Sequence, residues 1–185
     1  MNNELIIGLR EGALTIYPTE TCYAIGCNIL KEESLEKIYE LKNRDQKKYL
    51  TCIVADLRMA SKYCYLDKKE MKICRKYMPG PLTLVAKKKD TVPDILNEDF
   101  VFRVPGIEFA RELCRKVGFP LVSTSANIAG GKNPYSFEDI PDEIKNNVDF
   151  KINYGQLAER KPSTIITLRP KFKVIRKGCL ELNEG

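Results

Sequence analysis

No histidine occurs among the 185 residues. That absence removes Ser-His-Asp and Cys-His catalysis, together with every zinc site that needs an imidazole. Any chemistry has to come from lysine, arginine, hydroxyls, carboxylates, backbone amides or a bound cation. The sequence also lacks a C-x-x-C pair although it holds seven cysteines, of which Cys22 and Cys27 are the nearest two. An odd count with no secretory leader reads as reduced thiols in a cytoplasmic protein, not as a disulfide framework or a metal cage. No apolar run approaches the ~20 residues that span a bilayer, so no membrane partner is expected. The opening Met1-Asn2-Asn3-Glu4-Leu5-Ile6-Ile7 has neither a basic stretch nor a small-residue cleavage site, so no signal peptide is expected.

What is present belongs to a soluble globular chain: 43% hydrophobic and 30% charged residues. The length suits a single domain covering residues 1–185. There is no internal repeat, low-complexity tract or linker to divide it. The charge is +6, from 31 basic and 25 acidic residues. Such an excess is compatible with a polyanionic ligand such as nucleotide or RNA, and equally with an ordinary basic surface.

Apolar periodicity predicts strands and helices in alternation. A short helix over Leu5–Arg10 precedes a strand at Ala13–Tyr17, which Pro18 stops. A helix follows from Lys31 to Lys42, then a buried strand at Leu50–Val54. Helices around Leu57–Tyr63 and Lys68–Tyr77 end at Pro79-Gly80-Pro81. Strands at Leu82–Ala86 and Phe100–Val104, a helix over Ile107–Val117 and a strand at Leu121–Thr124 come next. The chain closes with a helix over Phe137–Val148 and strands at Phe150–Ile152, Thr164–Leu168 and Lys173–Arg176. The pattern predicts an α/β fold with a parallel or mixed sheet.

Ligands in such folds gather at strand ends, where four polar clusters lie. Tyr17-Pro18-Thr19-Glu20-Thr21 places two hydroxyls and a carboxylate directly after a strand, although a polar turn accounts for the same residues. Lys42-Asn43-Arg44 with Lys47 and Lys48 puts four cations within seven residues. They could grip a triphosphate, or simply offset the dipole at a helix C-terminus. Lys42 and Arg44 are too close to share one helix face, so joint use requires the chain to leave the helix there. Ser123-Thr124-Ser125-Ala126-Asn127, followed by Gly130-Gly131, has the small residues that let backbone N–H groups approach phosphate. It is neither a P-loop nor a G-x-G-x-x-G fingerprint, and a plain surface loop fits it too. Arg103-Val104-Pro105 and Arg176 each end a predicted strand, where arginine meets a carboxylate, a phosphate or an ordinary ion-pair partner.

In order along the chain, these clusters resemble the YrdC-like family. The matching segments are Tyr17-Pro-Thr-Glu-Thr-Cys-Tyr-Ala-Ile-Gly26, Leu41-Lys-Asn-Arg44 with Lys48, Met78-Pro-Gly-Pro-Leu-Thr83, Arg103-Val-Pro105, Ser123-Thr-Ser-Ala-Asn127, Ser163-Thr164 and Ile175-Arg-Lys-Gly178. The resemblance implies a twisted, mixed parallel and antiparallel sheet with flanking helices around a positively charged cavity. It also implies an L-threonylcarbamoyladenylate synthase. That enzyme condenses ATP, L-threonine and bicarbonate, releases pyrophosphate, and supplies a separate transferase complex that modifies tRNA to threonylcarbamoyladenosine. By the same resemblance Lys42 and Arg44 are the catalytic candidates. They bind ATP together with Lys48, Ser125, Asn127, Asn133 and Arg176. Thr21, Arg103, Ser123 and Ser163 fall on threonine-binding positions. Mg²⁺ is expected to arrive with ATP, with no protein ligand for the metal. Contact with double-stranded RNA or tRNA is a further expectation.

The sequence departs from the family's pattern at Asp45 and Tyr49, at Ala24, where a glycine is usual, and at Ile53, where many relatives have histidine. Asp45 could compete with phosphate for Arg44 or Lys48. Two other readings are a non-catalytic nucleotide- or RNA-binding paralogue and carbamoyl transfer of the kind performed by modules of larger carbamoyltransferases.

Overall fold

The computed structural model describes residues 2–45, 48–96 and 98–182. Helix α1 (Asn3–Glu11) begins where the Asn2 side chain accepts the Glu4 amide at 3.2 Å and ends at Gly12, whose φ of 106° suits glycine. It buries Leu5, Ile6 and Leu9. Strands β1 (Thr15–Pro18) and β2 (Tyr23–Gly26) then form an antiparallel pair buried along its whole length. Pro18 does not stop β1 beforehand. It is the last paired residue, opposite Tyr23, in a place where a missing N–H costs little. Because both faces of β2 are covered, Tyr23-Ala24-Ile25-Gly26 shows no alternation, and periodicity alone could not announce a strand there.

Helix α2 (Glu32–Leu41) leads to β3 (Cys52–Ile53), α3 (Leu57–Tyr63), β4 (Cys64–Tyr65) and α4 (Lys68–Tyr77). A longer β5 (Leu82–Lys88), β6 (Asp99–Arg103), α5 (Glu108–Val117), β7 (Leu121–Val122) and β8 (Thr124–Ser125) follow. The chain continues through α6 (Asp142–Asn146), β9 (Phe150–Lys151), β10 (Thr164–Thr167) and β11 (Lys173–Arg176). The helix expected over Phe137–Val148 is reduced to α6 because Pro141 occupies its N-cap and disfavours helical geometry at the residue before it.

The strands form two sheets. The smaller runs β8-β2-β1-β9; the larger runs β11-β10-β5-β6-β3-β7, with β4 added on β5. β10 lies parallel to β5 and β3 parallel to β6, whereas β5 and β6 are antiparallel. The fold is therefore mixed α/β. The segment expected as one strand over Leu121–Thr124 is divided between the sheets: β7 pairs with β3, and β8 pairs with β2. Ser123 is the residue at which the chain crosses from one sheet to the other.

The main core lies against the larger sheet and includes Leu35, Ile38, Leu84, Phe100, Phe102 and Ile166. Phe100 and Phe102 stack at 5.6 Å, and each such ring contributes about 1.5–3 kcal/mol through burial. A second core joins α1 and α5 through Leu9, Tyr17, Ile53, Leu113 and Leu121. Ile53 is fully buried there. The crossing is braced by Tyr17, whose hydroxyl donates to the Val122 carbonyl at 2.7 Å. Gly26 passes so close that a Cβ would stand 1.9 Å from that same oxygen. Gly26→Ala is therefore expected to lower stability by about 1–3 kcal/mol, read as a lower urea midpoint with an unchanged denaturant slope.

Candidate functional site

The sheet crossing is one wall of a cavity of about 570 Å³, counting its open mouth. The β1–β2 turn supplies Thr21 to its lining, and the ends of β6 and β11 supply Arg103 and Arg176. Ser163 enters from the residue before β10, and Ser123, Ser125 and Asn133 from the crossing and the loop after it. Arg44 completes the set from the end of α2. Eight of the residues singled out in the sequence thus meet in one place, although they are spread over more than 150 positions of the chain.

The end of α2 sorts two neighbouring cations in opposite directions. Asn43 adopts a left-handed φ of 46°. Its amide donates to the Glu40 carbonyl at 2.8 Å, and the Arg44 amide donates to the Tyr39 carbonyl at 2.9 Å. This pair of bonds is a Schellman closure, for which asparagine is an accepted alternative to glycine. The chain does leave the helix at Lys42 and Arg44. Arg44 reaches the cavity, where its Nη2 donates to the Tyr49 carbonyl at 2.8 Å. Lys42 instead turns inward and is 1% exposed.

The Lys42 ammonium donates to the backbone carbonyls of Ser125 and Asn127 and, at 3.0 Å, to Asn127 Oδ1. Its three donors are matched by three protein oxygens. Asn127 Nδ2 donates in turn to the Gly131 and Lys132 carbonyls at 2.7 and 3.1 Å, and Ser125 Oγ donates to Asn127 Oδ1 at 2.7 Å. Lys42 and Asn127 therefore stand behind the cavity wall and shape the loop that forms it; neither belongs to the lining. Burial, followed by the charge of Arg44, draws the Lys42 pKa down from 10.5 to about 8.

Arg103 is 5% exposed, and its Nε lies 3.3 Å from Glu20 Oε1. The pair is close enough for charge attraction but misaligned, so that Arg103 Nε and both Glu20 oxygens lack a hydrogen-bond partner. Arg44 Nε and Ser123 Oγ are also buried without one. On the far side, the Arg176 guanidinium donates to the Ser163 carbonyl at 2.9 Å and to Ser163 Oγ at 3.0 Å, while Ser163 Oγ shares a 2.8 Å bond with Thr83 Oγ1. Gly178 allows this approach, since a Cβ there would stand 2.2 Å from the Pro162 carbonyl oxygen. Partial loss of water, then the charge of Arg103 and, more weakly, of Arg44, lowers the Arg176 pKa. The cavity wall holds three arginines and no carboxylate. With orphaned donors among them, it is built for a ligand bearing anionic oxygens.

Other expectations fall elsewhere. Lys48 is exposed and does not line the cavity, and Lys47 lies outside the described residues. Two further residues support the site, Glu20 beside Arg103 and Thr83 beside Ser163. Glu20 lies between Thr19 and Thr21 and faces Arg103, whereas Thr83 interrupts the apolar run of β5 and bonds Ser163. Thr19 shapes the β1–β2 turn: its Oγ1 donates to the Cys22 carbonyl at 2.8 Å and accepts the Thr21 amide at 3.2 Å. Cys22 reaches the lining, yet burial raises its pKa and keeps it a thiol. All seven cysteines are unpaired. No cluster of three histidine, cysteine, aspartate or glutamate side chains able to hold a metal occurs among the described residues. With no carboxylate in its lining, the cavity offers a Mg²⁺ ion no anionic protein ligand.

Lys42→Met is expected to lower stability at pH 7 by about 1–3 kcal/mol, because the Ser125 and Asn127 carbonyls lose their ammonium donor and Asn127 Oδ1 keeps only the Ser125 hydroxyl. Between pH 8 and 10.5 the unfolded chain holds the Lys42 proton more firmly than the folded one. Wild-type stability should therefore rise relative to the variant across that window, by up to about 1.4 kcal/mol per pH unit. Paired urea titrations at several pH values check this; a gap that stays constant or narrows contradicts it.

A family model named Sua5_yciO_yrdC and described by the words telomere recombination matches residues 8–178. A Methanocaldococcus jannaschii protein provisionally named threonylcarbamoyl-AMP synthase is 37% identical over 95% of this chain and 84% of its own length. The Pyrococcus abyssi threonylcarbamoyl-AMP synthase is 30% identical over 95% of this chain, which spans 53% of that protein. Among solved structures, P. abyssi Sua5 complexed with L-threonine superimposes with a TM-score of 0.87 at 28% identity, covering 95% of this chain and 54% of that one. Escherichia coli YciO, named as uncharacterized, superimposes with a TM-score of 0.85 at 29% identity, covering 95% and 88%. No described helix is long and apolar enough to cross a membrane. The order of motifs, the two-sheet fold and the family match agree, and the chain belongs to the Sua5/YciO/YrdC family.

Proposed function

We propose that this protein is a threonylcarbamoyl-AMP synthase, joining ATP, L-threonine and bicarbonate with release of pyrophosphate. The observation that carries the proposal is the cavity wall of three arginines and several hydroxyls with no carboxylate. The amine of threonine and bicarbonate give a carbamate and water. A carbamate oxygen attacks the α-phosphorus of ATP, the α–β bridging bond breaks, and pyrophosphate leaves with the electron pair. A carbamate is already a nucleophile, so the reaction asks for positioning and charge neutralisation more than for a base. A chain without histidine can provide both.

In this reading Arg103, held by Glu20, pairs with the threonine carboxylate, with Thr21, Ser123 and Ser163 around it. Arg44 and Arg176 take phosphate oxygens, and Ser125 and Asn133 complete the nucleotide contacts. Lys42 and Asn127 act through the loop they hold. Mg²⁺ belongs with the ATP it accompanies. The adenylate would feed a transferase that modifies tRNA, and the site of action would be the cytoplasm. A second reading, a binding protein for nucleotide or RNA that does not make the adenylate, draws support from Lys42: its donors are all used by protein oxygens, which leaves phosphate fewer cations.

Pyrophosphate release with ATP, bicarbonate and Mg²⁺ separates the two. Release should depend on L-threonine, with L-serine slower by about 10- to 200-fold because one methyl distinguishes them. ATP binding without any threonine-dependent release would transfer the assignment to the second reading. Arg103→Met should raise the KM for threonine by about 10- to 150-fold, the value of one charge-assisted bond, and leave that for ATP nearly unchanged. An ATP KM that rises equally contradicts the role given to Arg103.

A further inference from the structure

A second concave surface lies at the other end of the β10–β11 hairpin. Ser163 and Arg176 close the cavity at one end of that hairpin; Leu168 and Phe172 mark the opposite end, one four-residue strand away. There α4 and the turn between the strands enclose a groove lined by Lys69, Lys72, Lys76 and Lys171. Its floor is made by Ile73, Tyr77, Leu168, Pro170, Phe172 and Leu182. On α4 the lining residues are Lys69, Lys72, Ile73, Lys76 and Tyr77, the spacing of a single helix face.

The charge on α4 is one-sided. Lys68, Lys69, Lys72, Arg75 and Lys76 are all exposed, and none makes an ion pair among the described residues. The one acidic residue of the helix, Glu70, is buried, where it closes the capping box with Asp67 and receives the Arg169 guanidinium at 2.8 Å. Like charges three and four residues apart repel along a helix. A fold that keeps them beside an apolar floor, with its only acid turned inward, carries a feature that its own packing does not require.

We propose that this groove docks an acidic amphipathic helix of a partner protein, with carboxylates against the lysine rim and apolar side chains on the floor. Charge complementarity selects an anionic partner. The floor selects a peptide over nucleic acid: Ile73, Leu168, Pro170 and Leu182 are aliphatic and offer a base nothing to stack on. Of the two aromatic rings, Tyr77 has the Lys76 ammonium over it at 5.0 Å. A helix with apolar positions at i, i+3, i+4 and i+7 would match both rim and floor.

Fluorescence anisotropy with the full chain tests this. The probe is a labelled peptide of about four helical turns, ~15 residues, with leucine and phenylalanine on one face and glutamate on the others. A scrambled peptide of equal composition, a single-stranded RNA and a duplex RNA of similar charge serve as comparisons. The amphipathic peptide should bind about tenfold or more tightly than the scrambled one. The triple variant Lys69→Glu, Lys72→Glu, Lys76→Glu should weaken it by at least the same factor. These side chains are exposed, so circular dichroism should show the variant folded, with its cavity activity unchanged. Absence of peptide binding, equal binding of the scrambled peptide, or tighter RNA binding that the same variant abolishes would each overturn the proposal.

Discussion

The Lys42 ammonium is enclosed by the fold without a carboxylate partner among the described residues; three oxygens of the Ser125–Asn127 segment take its place. Burying a charge is tolerable only when every donor is matched, and here the count closes. The consequence reaches beyond one residue. Lys42 belongs to the end of α2, whereas Ser125 and Asn127 follow the point where the chain passes from the larger sheet to the smaller. The clamp holds those two pieces together, and each contributes to the cavity lining, through Arg44 on one side and Ser125 on the other. Arg44, two residues along and turned by Asn43, lines the cavity, whereas Lys42 does not.

The arginines show the opposite design. Arg103 has a counter-charge in Glu20, but the geometry is poor enough to leave its Nε and both carboxylate oxygens unmatched. Arg44 Nε and Ser123 Oγ are unmatched as well. A protein that satisfies Lys42 completely and leaves several donors of the adjacent wall unsatisfied places its cost where a ligand can relieve it. The neighbouring guanidiniums that help lower the Arg176 pKa belong to the same arrangement.

Much of this was legible in the sequence because the cavity is built at element ends, where polar residues follow apolar runs. Arg103, Arg176 and the Ser123–Asn127 segment could be singled out on that ground. The alternation of elements pointed to an α/β fold with a parallel or mixed sheet, and the need for the chain to leave the helix at Lys42 and Arg44 followed from their spacing. Other features were not readable. Strand β2 is buried on both faces and so has no period. Pro141 shortened a helix that the apolar pattern had extended. The pattern over Leu121–Thr124 could not show that one strand would be shared between two sheets, since that depends on pairing with β3 and β2. Nor could it show that Lys42 and Asn127 would face each other behind the wall: adjacency in a motif does not fix the direction of a side chain. The pairing of Glu20 with Arg103 and of Thr83 with Ser163 was hidden for the same reason.

On the proposed function the labour is divided: Lys42 holds the wall and the arginines that line the cavity meet the ligand. Nuclear magnetic resonance of the lysine ammonium and arginine Nε groups during titration with a non-hydrolysable ATP analogue tests it directly. A buried, fully bonded ammonium should be slow enough in exchange to observe. Its signal and its couplings to the Ser125 and Asn127 carbonyls should persist through saturation while the Arg44 and Arg176 signals move. Loss of those couplings, with the Lys42 signal following the phosphate, would contradict the account.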